Sequence, residues 1–359
     1  MAALAPRGTN LTSLTLLPCG MTAEQASVIC AVIQKAVHLR KLRIAMDASG
    51  VLWDAASQLP SLQWLSVDFE NLHTFMLGAR STRRVFSDLT FLDIRTPEIA
   101  YATMLLHDSL HPQLRHLQYL SQAERQASHA LATSLFEAIA DSCSPAVLTD
   151  LDFFIENLEE LSEEHLIFDP IRSSALRPLL RFTRLTTFSL DLFWSWDLDN
   201  SLIQEMAHAW PQLKVLRLDP NFYGPPAESR ITLRGLEPLA MHCPHLQVFG
   251  ATIDATTLPA DGPLPIINTG QAPQSPLTSL LVGDSKIQSF LRVARYLSRL
   301  FPALQRIQTY DLLNVWEGME EEVEFAGELW REVVTLVQVM ALVREQERRT
   351  PSVSDIANA

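Results

Sequence analysis

Three clustered histidines, two Asp-x-Asp pairs and four cysteines are the residues whose types and spacing could do chemistry in this chain. His107 and His111 stand four apart, the helical spacing of two metal-binding imidazoles, and His116 follows. Pro112 breaks any helix through this stretch, so the three read as surface or packing histidines rather than ligands. Asp150-x-Asp152 and Asp197-x-Asp199 have a spacing that can hold a divalent ion in a transferase. The first pair, however, falls on alternate outward positions of a predicted strand, where polar residues belong. Cys19, Cys30, Cys143 and Cys243 form no CxxC pair, so neither a zinc site nor a disulfide framework is indicated. GxSxG, GxxxxGK and HExxH are absent, and glycine is scarce at 12 residues. No catalytic residue, no metal and no cofactor is expected. A hydrolase or transferase would have to rest on Asp150 and Asp152.

The formal net charge of −13 over 359 residues disfavours nucleic acid and anionic membrane surfaces, both of which attract Lys and Arg. The start, MAALAPRGTN, has no apolar core of signal-peptide length. The most apolar later stretch, Val333 to Val343, is far shorter than the roughly 20 residues of a membrane span. With its unpaired cysteines, the chain reads as intracellular, in the cytoplasm, the nucleus or both.

What could position functional side chains is a repeat. Leu-x-x-Leu-x-Leu, with apolar substitutes at the last two places, recurs from Leu11-Leu14-Leu16 through Leu62-Leu65-Val67, Leu89-Leu92-Ile94 and Leu148-Leu151-Phe153 to Leu213-Leu216-Leu218 and a decayed Leu304-Ile307-Thr309. Eleven copies span the 293 residues from Leu11 to Leu304, so ten intervals average 29.3 residues. That is the signature of leucine-rich repeats. Between the copies the period is helical: Thr22 and Gln25 have capping-box spacing, and Val28, Ile29, Val32, Ile33 and Ala36 mark one face. Leu131, Leu135 and Ile139, then Phe290, Leu291, Ala294 and Leu297, do the same. Pro60, Pro112, Pro145, Pro211, Pro244 and Pro302 each close a unit two or three residues before a repeat leucine.

The expected fold is therefore α/β: a right-handed leucine-rich-repeat solenoid of about eleven repeats, with an inner parallel sheet and outer helices sharing one core. It should occupy residues 1–310, with loop insertions near 155–184, 219–230 and 254–276. An acidic start and a C-terminal capping helix should fill 311–348, the helix itself running over about 319–348. Its apolar stripe is Phe325, Leu329, Val333, Leu336, Met340 and Val343, and a disordered tail should follow at 349–359. Almost nothing precedes the first strand to cover its edge.

Alternation along each strand sends the repeat leucines inward and their neighbours to the concave side. The candidate partner-binding face is therefore Arg43, Trp64, Phe91, Asp93, Arg95, His116, Asp150, Asp152, Phe154, Asp191 and Arg217. Large aromatics beside arginines have the composition of interface hot spots, and the aspartates call for a protein or peptide with basic as well as apolar groups. Phe193, Trp194 and Trp196 after the seventh strand form a secondary patch, or simply pack a loop.

LRGLEPLAMHCPHLQVF, Leu233 to Phe249, resembles the cysteine-containing subtype of this repeat through Cys243-Pro244-x-Leu246-x-x-Phe249. WPQLKVLRL at 210–218 and LPSLQWLSV at 59–67 are plainer members. The set, over roughly residues 10–310, resembles the C-terminal half of fungal F-box/leucine-rich-repeat proteins, a ribonuclease-inhibitor-like solenoid. The resemblance implies the substrate-binding part of a ubiquitin-ligase receptor, with Skp–cullin components as partners if an F-box lies upstream. The F-box itself has no counterpart in this sequence. A freestanding scaffold or inhibitor of the same repeat class is the alternative.

Overall fold

Each repeat motif folds as a short parallel strand, and the strand register follows the leucines. The computed structural model describes residues 11–17, 22–69, 74–77, 82–122, 127–155, 169–192, 194–218, 229–257, 275–309 and 320–349. The chain divides into two compact units, Met1–Trp196 and Asp197–Ala359, where the repeat pattern alone predicts one array. Both units are built from the same leucine-rich repeat.

The first unit carries seven strands of the repeat: Ser13–Leu16, Lys41–Ala45, Trp64–Asp68, Phe91–Thr96, His116–Ser121, Asp150–Ile155 and Thr187–Asp191. Neighbours in this order are paired in parallel, with Leu42, Leu65, Leu92, Leu117, Leu151 and Phe188 in one register row. All six are at most 1% exposed. A strand this short cannot bury its apolar row alone; the returning segments cover it. These are α1 (Ala23–Lys35), α2 (Val51–Ser57), α3 (Ile99–Asp108), α4 (His129–Ser142) and a 3-10 turn, Ser173–Arg181.

Local sequence explains the helix ends. Thr22 and Gln25 form the expected reciprocal cap on α1, and the Ser128 hydroxyl accepts from the Leu131 N–H on α4. Gly50 opens α2 at φ 71°, a left-handed conformation, and a Cβ there would meet the Leu77 side chain. The long sixth interval is not all insertion: its described part, residues 169–184, supplies the 3-10 turn that takes a helix's place. Residues 156–168 lie outside the described residues, as do 219–228 and 258–274 of the other two expected insertions.

The second unit holds four strands: Val215–Leu218, Val248–Ala251, Ser279–Gly283 and Arg306–Thr309, again parallel in chain order. Its covering helices are α5 (Asn200–Ala209), α6 (Glu237–His242), α7 (Phe290–Leu300) and α8 (Glu320–Arg349). In α5, α6 and α7 the residue after the helix is followed directly by proline, at Pro211, Pro244 and Pro302. Cys243, wholly buried, points its thiol at the carbonyls of Ala207 (3.7 Å) and Trp210 (3.8 Å). The thiol thus ties its repeat to the preceding one.

The helix faces differ in detail from the periodicity reading. Val28, Leu131 and Leu291 are 49%, 43% and 56% exposed, and α1 buries Ala26, Ile29 and Ile33 instead. Where adjacent positions are both apolar, a helical period cannot say which one is the centre of the face; the strand beneath decides. The capping helix starts and stops within a residue of expectation, but its buried face is Trp330, Val333 and Val337. Trp330 also donates from Nε1 to the Ser285 carbonyl at 2.9 Å. Phe325 and Val343, placed on the inner stripe by sequence, are 61% and 46% exposed.

Candidate functional site

In-register pairing of parallel strands, spaced about 4.8 Å apart, stacks like positions of successive repeats into rows across one face of the first unit's sheet, the face expected to be concave. The row formed by the residue before each central leucine runs Lys41, Trp64, Phe91, His116, Asp150, Thr187. That spacing is also a ring-stacking distance. Trp64 and Phe91 stack with centroids 5.5 Å apart at 13°, and Phe91 and His116 at 4.7 Å and 19°. All three rings are half-buried. His116 Nε2 lies 3.2 Å from Asp152 Oδ2, which fixes the end of the stack.

The next row runs Arg43, Ser66, Asp93, Gln118, Asp152, Ser189, and the third Ala45, Asp68, Arg95, Leu120, Phe154, Asp191. The predicted residues of this unit are thus brought onto one face, and its charges are ordered along it. Lys41 and Arg43 stand at the second strand; Asp150, Asp152 and Asp191 stand at the sixth and seventh. Arg43 approaches Asp68 at 4.0 Å. Asp150 is held by the hydroxyls of Thr149 (2.7 Å) and Thr186 (3.1 Å). Arg217 belongs to the second unit, in the middle of Val215–Leu218 with Gly250 beside it in register.

Two expectations change. Asp93 is on the predicted face but buried, at 3% exposure. Its Oδ2 accepts from Ser66 Oγ at 2.8 Å and from Arg95 Nε at 2.9 Å, so it holds Arg95 rather than meeting a partner. Trp194 is no exposed patch: it is 3% exposed, and its ring lies 6.0 Å from that of Trp196, which in turn lies 6.4 Å from Phe136 of α4. The pair packs the end of the seventh repeat, because apolar rings there cover the helix behind the sheet. Phe193 lies outside the described residues. Gln118, half-exposed between Asp93 and Asp152, belongs to the face as well. The alternation rule that selected its neighbours would have found it.

The groups weighed for chemistry go separate ways. His107 is exposed, His116 sits in the concave stack, and His111 is wholly buried, stacked on Phe86 at 5.1 Å. The Ser109 hydroxyl donates to the Leu105 carbonyl, so it accepts from His111 Nε2–H, leaving Nδ1 buried with no partner among the described residues. Burial drives the His111 pKa down to about 3, so this imidazole is neutral. Asp199 caps α5 through the Leu202 N–H at 2.9 Å, and Arg230 bonds Asp197 at 2.6 Å, so the second Asp-x-Asp pair is spent on structure. Burial pushes the thiols of Cys143 and Cys243 up to about 12, far from nucleophilic. Among the described residues no three His, Cys, Asp or Glu side chains are grouped to hold a metal, and no helix is long and apolar enough to cross a membrane.

Stacked short parallel strands with helices behind them, and rows of ring and charge in front, define a leucine-rich-repeat solenoid protein. Among solved structures the chain is similar to a Bacteroides fragilis protein (13% identity, 83% of this chain and 74% of that one, TM-score 0.34). It is also similar to an internalin, InlF, from Listeria monocytogenes (13%, 86% and 93%, 0.34). A third is a leucine-rich-repeat protein of Leptospira interrogans (13%, 86% and 86%, 0.23). No protein-family model and no curated protein matches the chain.

Proposed function

We propose that this chain is a non-enzymatic protein-recognition module that binds a protein or peptide across the concave face of its first unit. The observation that carries this reading is the half-exposed Trp64–Phe91–His116 stack, set between a basic end at Lys41 and Arg43 and an acidic end at Asp150, Asp152 and Asp191. Rigid rings already ordered in the free protein lose little entropy on binding, and they sit among charges that give register. A partner with a basic group for the acidic end and an apolar group for the stack fits this face. A phosphate-rich ligand does not.

The test replaces Trp64, Phe91 and Phe154 with alanine and measures capture of partners, with convex-helix substitutions as control. Capture falling only in the concave variants supports the reading; unchanged capture with the fold intact moves the site elsewhere. Within this role we place the chain, in the cytoplasm or nucleus, as the substrate-binding part of an F-box-type receptor. The cysteine-containing repeat around Cys243, with its thiol turned onto the preceding repeat, supports that placement. Co-purification of Skp and cullin components with the full-length protein supports it further; their absence leaves a freestanding scaffold or inhibitor.

A further inference from the structure

The first strand of the sheet leaves apolar surface bare where its neighbours leave none. Among the described residues Ser13–Leu16 pairs only with Lys41–Ala45. Leu14 and Leu16 stand level with Leu42 and Ile44, which are 0% exposed, yet both are only half-buried, and Leu17 just beyond is 42% exposed. The Lys41 N–H donates to the Thr12 carbonyl, so Thr12, Leu14 and Leu16 turn their peptide groups toward the sheet, and Ser13 and Thr15 turn theirs outward. Edge strands are ordinarily blunted by charge or proline. Ser13–Leu16 has neither, and residues 8–23 hold no charged side chain. Helix α1 continues this bare surface. Cys30 marks its flank toward α2: burial first, then the charges of Asp47 and of Asp54 in α2, push the thiol up. At 3.6 residues per turn the opposite flank carries Glu24, Val28, Val32 and Lys35. Val28 is 49% exposed and Val32 half-buried, and Glu24 and Lys35, at the two ends, are the only charges of the helix.

Reversal selects the occupant. A two-fold axis normal to the sheet at Thr15 lays the strand antiparallel on its own copy, with Leu14 against Leu16 and Thr15 against Thr15. The outward peptide groups of Ser13 and Thr15 then meet outward groups, as antiparallel pairing requires. Thr15 is level with Arg43, about 10 Å along the strand from the turn at Arg40. Cys30 lies about 9 Å up α1 from Ala36, at the same turn, so the axis passes close to the middle of the helix. It therefore sets Val28 against Val32, and Glu24 against Lys35 at both ends. Strand and helix flank are self-complementary about one axis, which is what an isologous interface requires. A copy laid parallel would turn its helices to the opposite face of the sheet and leave Val28 and Val32 bare.

We infer that the outer edge of Ser13–Leu16, with the outer flank of α1, is a homodimer interface, in which a second copy of this chain adds its own first strand antiparallel. Light scattering behind size exclusion on the full chain tests it. The expected result is a dimer, converted to monomer by Thr15→Pro, which removes an outward N–H and leaves the bonds to the second strand in place. Val28→Glu should do the same by setting a carboxylate against Val32. Both positions are exposed, so the circular dichroism of each monomer should match the parent's. Should proline disturb the strand, Val28→Glu decides alone. Orientation is read from the helix ends: Lys35→Glu should raise the dissociation constant roughly fivefold, the scale of two exposed ion pairs, and adding Glu24→Lys to the same chain should restore it. A monomer at every concentration, or a dimer that survives Val28→Glu, overturns the interface. A Lys35→Glu loss that Glu24→Lys does not recover overturns the antiparallel arrangement. None of these outcomes bears on Trp64, Phe91 or Phe154, which lie on other strands.

Discussion

Asp93 Oδ2 lies 2.9 Å from Arg95 Nε on the same face of one strand, and only the arginine reaches solvent to any extent. Residues two apart on a strand share a face, so the aspartate below sets the direction of the guanidinium above. Removing Asp93 should therefore act first on stability. Asp93→Ala should cost about 1.5–3 kcal/mol, the range for hydrogen bonds to charged groups, and Ser66→Ala about 1 kcal/mol. Urea unfolding of both variants checks this order; no loss for Asp93→Ala would mean that the carboxylate does not hold Arg95.

His111 makes stability depend on pH in a stated direction. Its folded pKa is about 3 and its unfolded value near 6.5. Between these values the unfolded chain binds a proton that the native chain refuses. The native state is thus favoured above pH 6.5, and that advantage is lost as pH falls, by roughly 1.4 kcal/mol per pH unit for this one group. Unfolding curves between pH 4 and 7 should show a slope smaller by about one proton in His111→Phe, whose ring can keep the stack on Phe86. Equal slopes in parent and variant would show that the buried imidazole is not the source.

The central leucines should be costly wherever they fall in the array. Leu65, Leu92, Leu117, Leu151 and Leu216 are at most 1% exposed, and each lies between its strand and the covering segments. Replacing any one with alanine should cost about 2–5 kcal/mol by equilibrium unfolding. Losses below 1 kcal/mol at most of these sites would contradict the register.

The repeat period and the strand register, with the rows of side chains that it sets, were legible in the chain itself, because alternation on a strand and a fixed repeat length are properties of local covalent geometry. Leu65 is buried and Trp64 is presented for the same reason: one residue of offset turns a side chain to the other face. Helix ends were legible too, since the Thr22 cap and the closing prolines act within a few residues. Tertiary structure decided what depends on neighbours distant in sequence. It buried Asp93 beneath Arg95, because Ser66 of the adjacent strand supplies a donor. It turned Trp194 inward, and it chose Trp330, Val333 and Val337 over Phe325 and Val343 as the packed side of α8. In each case the periodicity allowed more than one apolar or polar position to face the protein, and only the shape and hydrogen bonding of the opposing surface could select between them.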